Sequence, residues 1–173
     1  PTIGLITIDG TNAYNTIARE VVATELYADA DLEPLWLLFS LIYEDEGELV
    51  LDYDGVRHVL TSSDGTRQGC VLGSILFCLG VHPVLMRAKQ KYPELTIKAI
   101  MDDINAWGPP PVLFNFYRDV KAWLAEVRLI TNNKTTLYVA QDVTVPGDIQ
   151  DEITITRHGV KILGTMQSRD DAF

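Results

Sequence analysis

Apolar positions along this chain follow two periods, and each stretch predicts an element. Ile3 to Ile8 is an apolar run with β-branched residues, the pattern of a buried central strand. Tyr14 to Tyr27 has helical spacing, and Leu32 to Tyr43 is a second apolar helix that tolerates Pro34 in its first turn. Leu49 to Tyr53 and Val56 to Thr61 flank Asp54-Gly55, a dipeptide that suits a type I′ hairpin turn. Val71 to Gln90 reads as a long buried helix ending near Tyr92-Pro93. Thr96 to Met101 and Ile104 to Trp107 are short strands around Asp102-Asp103. After Pro109-Pro110-Pro111, the segment Val112 to Arg128 sets Phe116, Val120, Trp123, Leu124 and Val127 near one helical stripe. Thr135 to Ala140 is a strand, and Ile153 to Thr156 with Val160 to Leu163 predicts a last hairpin around His158-Gly159. This order predicts an α+β fold, an antiparallel sheet with helices packed on one face. The chain shows no repeat, no low-complexity segment and no domain boundary.

Composition narrows the class. A hydrophobic fraction of 47% with mixed charges fits a packed globular fold and excludes a disordered chain. The longest apolar runs, Leu35 to Tyr43 and Val71 to Met86, fall short of the roughly 20 residues that span a bilayer, so no membrane partner is expected. Pro1 opens no signal-type segment and the strand pattern begins at once, so a fragment of a larger polypeptide is expected. Cys70 and Cys78 have neither zinc-site nor disulfide spacing and read as buried free thiols, which points to an intracellular compartment. His58, His82 and His158 are unclustered, which speaks against a histidine metal site. The formal net charge of −10 runs against a nucleic-acid-binding role, because proteins that grip phosphates usually carry a basic face.

The chemistry lies in carboxylates. Asp9 ends the first strand, and Asp102-Asp103 occupy the tip of a later turn. Strand-end carboxylates brought together from distant sequence make an oxygen-rich site for hard divalent ions. Polymerases need such a site, because two Mg²⁺ about 3.5–4 Å apart stabilise both the attacking and the leaving oxygen. Each acidic site alone also reads as an ordinary turn or strand terminus. The apolar flanks Ala99-Ile100-Met101 and Ile104 make the second less ordinary, since they would partly desolvate the turn.

With their surroundings these residues resemble the reverse transcriptase family, in its non-long-terminal-repeat retrotransposon branch. Motif A is similar to Ile8-Asp9-Gly10-Thr11-Asn12-Ala13-Tyr14-Asn15, motif B to Gly65-Thr66-Arg67-Gln68-Gly69-Cys70 running on to Leu76-Phe77, and motif C to Met101-Asp102-Asp103. Motif D is similar to Asn133-Lys134-Thr135, and motif E to Gly159-Val160-Lys161-Ile162-Leu163-Gly164. The family's aromatic residue before the Asp pair is Ile100 here, and Val71 and Ser74 stand where prolines are usual.

The resemblance implies a polymerase palm across residues 1–173, with fingers and thumb largely supplied by other parts of a parent chain. It implies RNA-directed DNA synthesis on an RNA template with a DNA primer and deoxynucleoside triphosphates. Asp9 and Asp102 would bridge two Mg²⁺ ions, which Mn²⁺ could replace, with Asp103 a more peripheral ligand and the Gly10 carbonyl an added one. The amides of Asn12 and Ala13 would face the triphosphate. Tyr14 would sit below the sugar C2′ and exclude a ribose hydroxyl, where composition alone suggests a core tyrosine. Gln68 and Gly69 would lie against the nucleotide and template, though a glycine is also routine where a loop enters a helix. Met101 would abut the nucleotide sugar. Arg67 could pair with a phosphate or with a surplus carboxylate. Lys134 has two readings, a proton donor to the departing pyrophosphate or a solvated lysine ahead of a strand.

The acidic charge is tolerable for a palm whose cationic grip lies in fingers and thumb. A nuclear location fits a retrotransposon origin. Two other readings compete: a catalytically silent scaffold derived from a reverse transcriptase and binding RNA or protein, and an RNA-directed RNA polymerase palm. The second lacks support here, because motif A carries no second Asp and motif B does not open with Ser-Gly.

Overall fold

The computed structural model describes residues 3–67, 69–162 and 165–167. The elements run β1 (Gly4–Ile8), α1 (Ala13–Thr16), α2 (Arg19–Ala28), α3 (Glu33–Phe39), β2 (Gly47–Tyr53), β3 (Val56–Ser62), α4 (Gly73–Lys91), β4 (Thr96–Ile100), β5 (Asp103–Gly108), α5 (Pro110–Glu126), β6 (Thr136–Tyr138), α6 (Gly147–Gln150), β7 (Thr154–Thr156), β8 (Val160–Ile162) and β9 (Thr165–Gln167). They divide into two compact units, Pro1–Thr11 with Pro83–Phe173, and Asn12–His82.

The first unit is built on a five-stranded sheet of order β4-β5-β1-β6-β7. Its pairs are antiparallel except β6 with β7, which is parallel. The mixed α+β class and the mostly antiparallel sheet therefore agree with the sequence. β1 is central, and its alternation decides the faces: Ile6 pairs with Ala106 and Ile8 with Ile104, all of them buried. Helix α5 packs on β1 and β5. Its stripe of Phe116, Val120, Trp123 and Leu124 is buried, as the spacing predicts. Burying each such side chain contributes about 1.5–3 kcal/mol, so this stripe helps hold the helix to the sheet. Pro110 sits in the first turn of α5, where its missing N–H costs nothing.

The second unit holds α1, α2, α3, the β2–β3 hairpin and the first part of α4. Asp54 (φ 51°) and Gly55 (φ 73°) are both left-handed, which is the type I′ turn their dipeptide predicts.

Several sequence expectations are corrected. The helix expected over Tyr14 to Tyr27 breaks at Ile17, whose backbone is extended at φ −56°, ψ 136°. The Ile17 carbonyl instead accepts from the Gly65 N–H at 3.0 Å, a tertiary bond with no local signature. The helix expected to run to Tyr43 ends at Phe39 and loosens into a π turn over Ser40–Glu44. The expected last hairpin does not form: β7 joins the main sheet beside β6, and β8 pairs with β9. The acidic turn is shifted by one residue, since Ile100 pairs with Asp103 and leaves Met101-Asp102 at the tip. The two thiols are free but not buried, Cys70 being intermediate and Cys78 exposed. No helix among the described residues is long and apolar enough to cross a membrane.

Candidate active site

The end of β1 and the start of β5 carry the acidic site of the first unit. Ile8 pairs with Ile104 in the antiparallel register, and continuing that register by one residue sets Asp9 across from Asp103. Alternation turns both away from the face that Ile8 and Ile104 present to the core. Burial pushes the Asp103 carboxyl above its ordinary value, and the nearby charges of Asp102 and then Asp9 push it further. Asp102 is exposed on the turn. The turn itself is held in an unusual way, with Met101 at φ 57°. A positive φ at the first central position of a two-residue hairpin suits glycine, and a side chain there costs about 1–2 kcal/mol.

Among the described residues no group of three or more His, Cys, Asp or Glu side chains stands ready to hold a metal ion. The triad is therefore not preassembled; the charges of Asp102 and Asp9 reach Asp103, and Asp102 lies one residue away in the turn. Their chemistry fits a divalent cation. The donors are hard carboxylate oxygens, and a bound cation would offset both the burial and the neighbouring charges that raise Asp103.

Asp9 is gripped from the loop before β6. The Asp9 N–H donates to Thr135 Oγ1 at 3.2 Å, and the Asp9 carbonyl accepts from the Asn132 N–H at 3.1 Å. The Asn132 side-chain amide donates to Asp9 Oδ2. Gly10 continues the contact as an isolated antiparallel bridge to Thr131. Lys134 is exposed, and its backbone N–H donates to Asn132 Oδ1 at 2.8 Å.

The remaining sequence-derived residues lie in the second unit. Asn12 is left-handed at φ 50° and precedes the short helix α1, which begins at Ala13. Tyr14 is half-buried, its ring stacked on Phe77 at a centroid distance of 4.6 Å and its hydroxyl donating to Ser74 Oγ at 3.2 Å. Motif B is tied to this segment: the Thr66 N–H donates to the Tyr14 carbonyl at 2.6 Å. Gly69 is exposed at φ 84° with open space where a side chain would sit. Gln68 lies outside the described residues, as do Leu163 and Gly164 of motif E. The exposed Arg67 guanidinium lies 5.9 Å from the centre of the Tyr43 ring.

The family described as reverse transcriptase (RNA-dependent DNA polymerase) matches residues 2–166. The chain belongs to the reverse transcriptase family. Its motifs resemble the non-long-terminal-repeat retrotransposon branch, and in keeping with this a retrotransposable element SLACS 132 kDa protein of Trypanosoma brucei gambiense is 39% identical over 112 residues, 64% of this chain. The chain spans only 10% of that relative's length. Among solved structures, apo telomerase of Candida tropicalis truncated from its C-terminal domain superposes with a TM-score of 0.73 at 11% identity, covering 97% of this chain and 34% of that one. Telomerase of the same organism in complex with a TWJ fragment of telomeric RNA gives a TM-score of 0.69 at 10% identity, covering 100% and 30%. At these identities the likeness shows a shared fold.

This reverse transcriptase domain contains supporting residues that motif reading passes over. Asn132, just before the motif D segment, holds Asp9; the only sequence signal is that Asn favours turns, and here its Oδ1 accepts from the N–H two residues on, an Asx turn. Arg19 is 7% exposed and donates to the Gly65 carbonyl at 2.9 Å and to the Ser62 carbonyl at 2.9 Å. Burial lowers its pKa, and the charge of Arg67 adds to this. Nothing in the local sequence marks it as more than a surface arginine.

Proposed function

We propose that this reverse transcriptase domain is a catalytic palm that transfers deoxynucleotides from their triphosphates to a primer 3′-OH on an RNA template. The observation that carries the reading is the Ile8–Ile104 pair, which brings Asp9 close enough for its charge to act on Asp103, with Asp102 in the turn between β4 and β5, inside a chain of this family. Asp9, Asp102, Asp103 and the Gly10 carbonyl would hold two Mg²⁺ ions, or Mn²⁺ in their place. When bound, such ions stabilise the attacking and leaving oxygens of an in-line displacement.

The chain's own residues do the positioning. The Asn12 and Ala13 amides face the triphosphate, Gln68 and Gly69 lie against the nucleotide and template, and Met101 abuts the sugar. Tyr14 excludes a ribose 2′-OH. The primer 3′-OH gives its proton to solvent as its oxygen bonds to the α-phosphorus, the bond to pyrophosphate breaks, and Lys134 gives a proton to the departing pyrophosphate. Fingers and thumb regions of a larger chain complete the grip on primer and template, in the nucleus.

Primer extension by the complete polymerase tests this reading. Asp9→Asn and Asp102→Asn should each lower synthesis by about 1,000-fold or more, with folding retained, since each removes a charge needed in the transition state. Synthesis at the parent rate in either variant removes the two-metal mechanism. The net charge of −10 favours a second reading, a silent scaffold, which predicts RNA or protein binding with no extension by the parent protein.

A further inference from the structure

Asn132 meets Asp9 with both its backbone and its side chain. Its N–H donates to the Asp9 carbonyl at 3.1 Å, and its side-chain amide donates to Asp9 Oδ2. Its own Oδ1 accepts from the Lys134 N–H at 2.8 Å. A primary amide has one acceptor end and one donor end, so the bond from Lys134 decides that the NH₂ end faces Asp9. The Asp carboxylate otherwise turns broadly about its last torsion. Here one lone pair of Oδ2 is occupied, which leaves Oδ1 and the outer lone pair of Oδ2 available to a cation.

The chemical identity of the partner matters. A lysine or arginine at this place would hold the carboxylate and also cancel the charge that attracts a divalent ion. A neutral amide orients the carboxylate and leaves its charge intact. Partners of this kind orient metal-binding carboxylates in other sites, and losing one typically costs about 10–100-fold in metal affinity.

We infer that Asn132 is a positioning residue that presents the Asp9 carboxylate to a divalent cation and, through the same side chain, ties Asp9 to the backbone of Lys134. This rests on the two-metal reading above and goes beyond it. It assigns the geometry of the metal ligand to a residue outside the motif D segment. It also couples the metal end of the proposed reaction to its proton-donating end.

The test is Mn²⁺ binding by the full chain, read from the loss of the free-ion electron paramagnetic resonance signal, with thermal unfolding measured in parallel. Asn132→Leu keeps about the same volume without a donor, and its Mn²⁺ affinity should fall by about 10-fold or more. Thr154→Val is the control, because Thr154 Oγ1 donates to the Asn133 carbonyl at 3.1 Å and its loss loosens the same loop without touching Asp9. Thr154→Val should bind Mn²⁺ as the parent does, even if its Tm falls. Should Asn132→Leu fail to fold, Asn132→Ser is read in the same way. An unchanged affinity in the Asn132 variants overturns the inference, and so does an equal loss in Thr154→Val, which would mark a purely structural loop. Absence of Mn²⁺ binding by the parent overturns the two-metal reading itself and the role of Asn132 with it.

Discussion

Tyr14 has one ring face on Phe77 and a hydroxyl bonded to Ser74, and it remains half-buried, so it can both pack and face a substrate. The serine stands where the family usually has proline, and here it gives the tyrosine a fixed partner. If the ring gates the sugar, Tyr14→Ala in the complete polymerase should raise ribonucleotide incorporation relative to deoxynucleotide. A tyrosine that only packs predicts an unchanged ratio and a stability loss of about 3 kcal/mol. Single-nucleotide insertion kinetics with both sugars separates the two. Asp103 is the second residue with a definite expectation. Its carboxyl is raised by burial and by the charges of Asp102 and Asp9, so the folded state holds the proton more tightly than the unfolded one. That contribution is present at low pH and is lost as pH rises from the ordinary carboxylate range through the folded value. Asp103→Asn should therefore raise Tm at neutral pH in chelator-treated buffer. The gap should close as the buffer is acidified. Saturating Mg²⁺ should narrow it too, since a cation that binds only the folded parent stabilises the parent.

Motifs A and B meet through backbone in the second unit, at a point where one atom decides the fit. Gly65 has φ 72°, and a Cβ there would lie 2.3 Å from the Asn15 carbonyl carbon. Left-handed strain and overpacking add, so Gly65→Ala should cost about 3 kcal/mol and lower Tm by about 6–12 °C, while Gly55→Ala in the open hairpin turn should cost less. Thermal unfolding of the two variants checks the ranking. Elements carried by local chemistry were legible in the sequence: the Asp54-Gly55 turn announces itself, and the α5 stripe is periodic. Elements decided by distant partners were not. The break at Ile17 depends on the Gly65 N–H, and β7 depends on an edge of β6 that no local pattern marks. The acidic turn was misplaced by one residue because Met101, a residue with no turn preference, occupies its left-handed position. The sequence could put Asp9 at a strand end but not near Asp103, since that follows from the register that pairs Ile8 with Ile104.

At the scale of the whole molecule, charge sets the encounter with nucleic acid. With a net charge of −10, the chain by itself should bind template-primer weakly, and binding should weaken further as salt is lowered, because screening relieves repulsion between polyanions. Extension by the chain alone should be negligible, since about 1 Å of misplacement can cost about 100-fold. A labelled template-primer titrated across a salt series, with extension measured alongside, checks both. Tight binding that strengthens at low salt would show a cationic grip within these residues. The central place of β1 has a consequence of another kind. Its neighbours β5 and β6 lie far along the chain, and β7 borders β6 in turn. Closing such long loops is slow, because the entropy is lost before the contacts reward it. During synthesis β1 leaves the ribosome before both of its neighbours, and one edge stays open until Thr136–Tyr138 arrives. An apolar strand with an open edge invites pairing with other chains, so the interval between making β1 and making β6 exposes the nascent chain to aggregation.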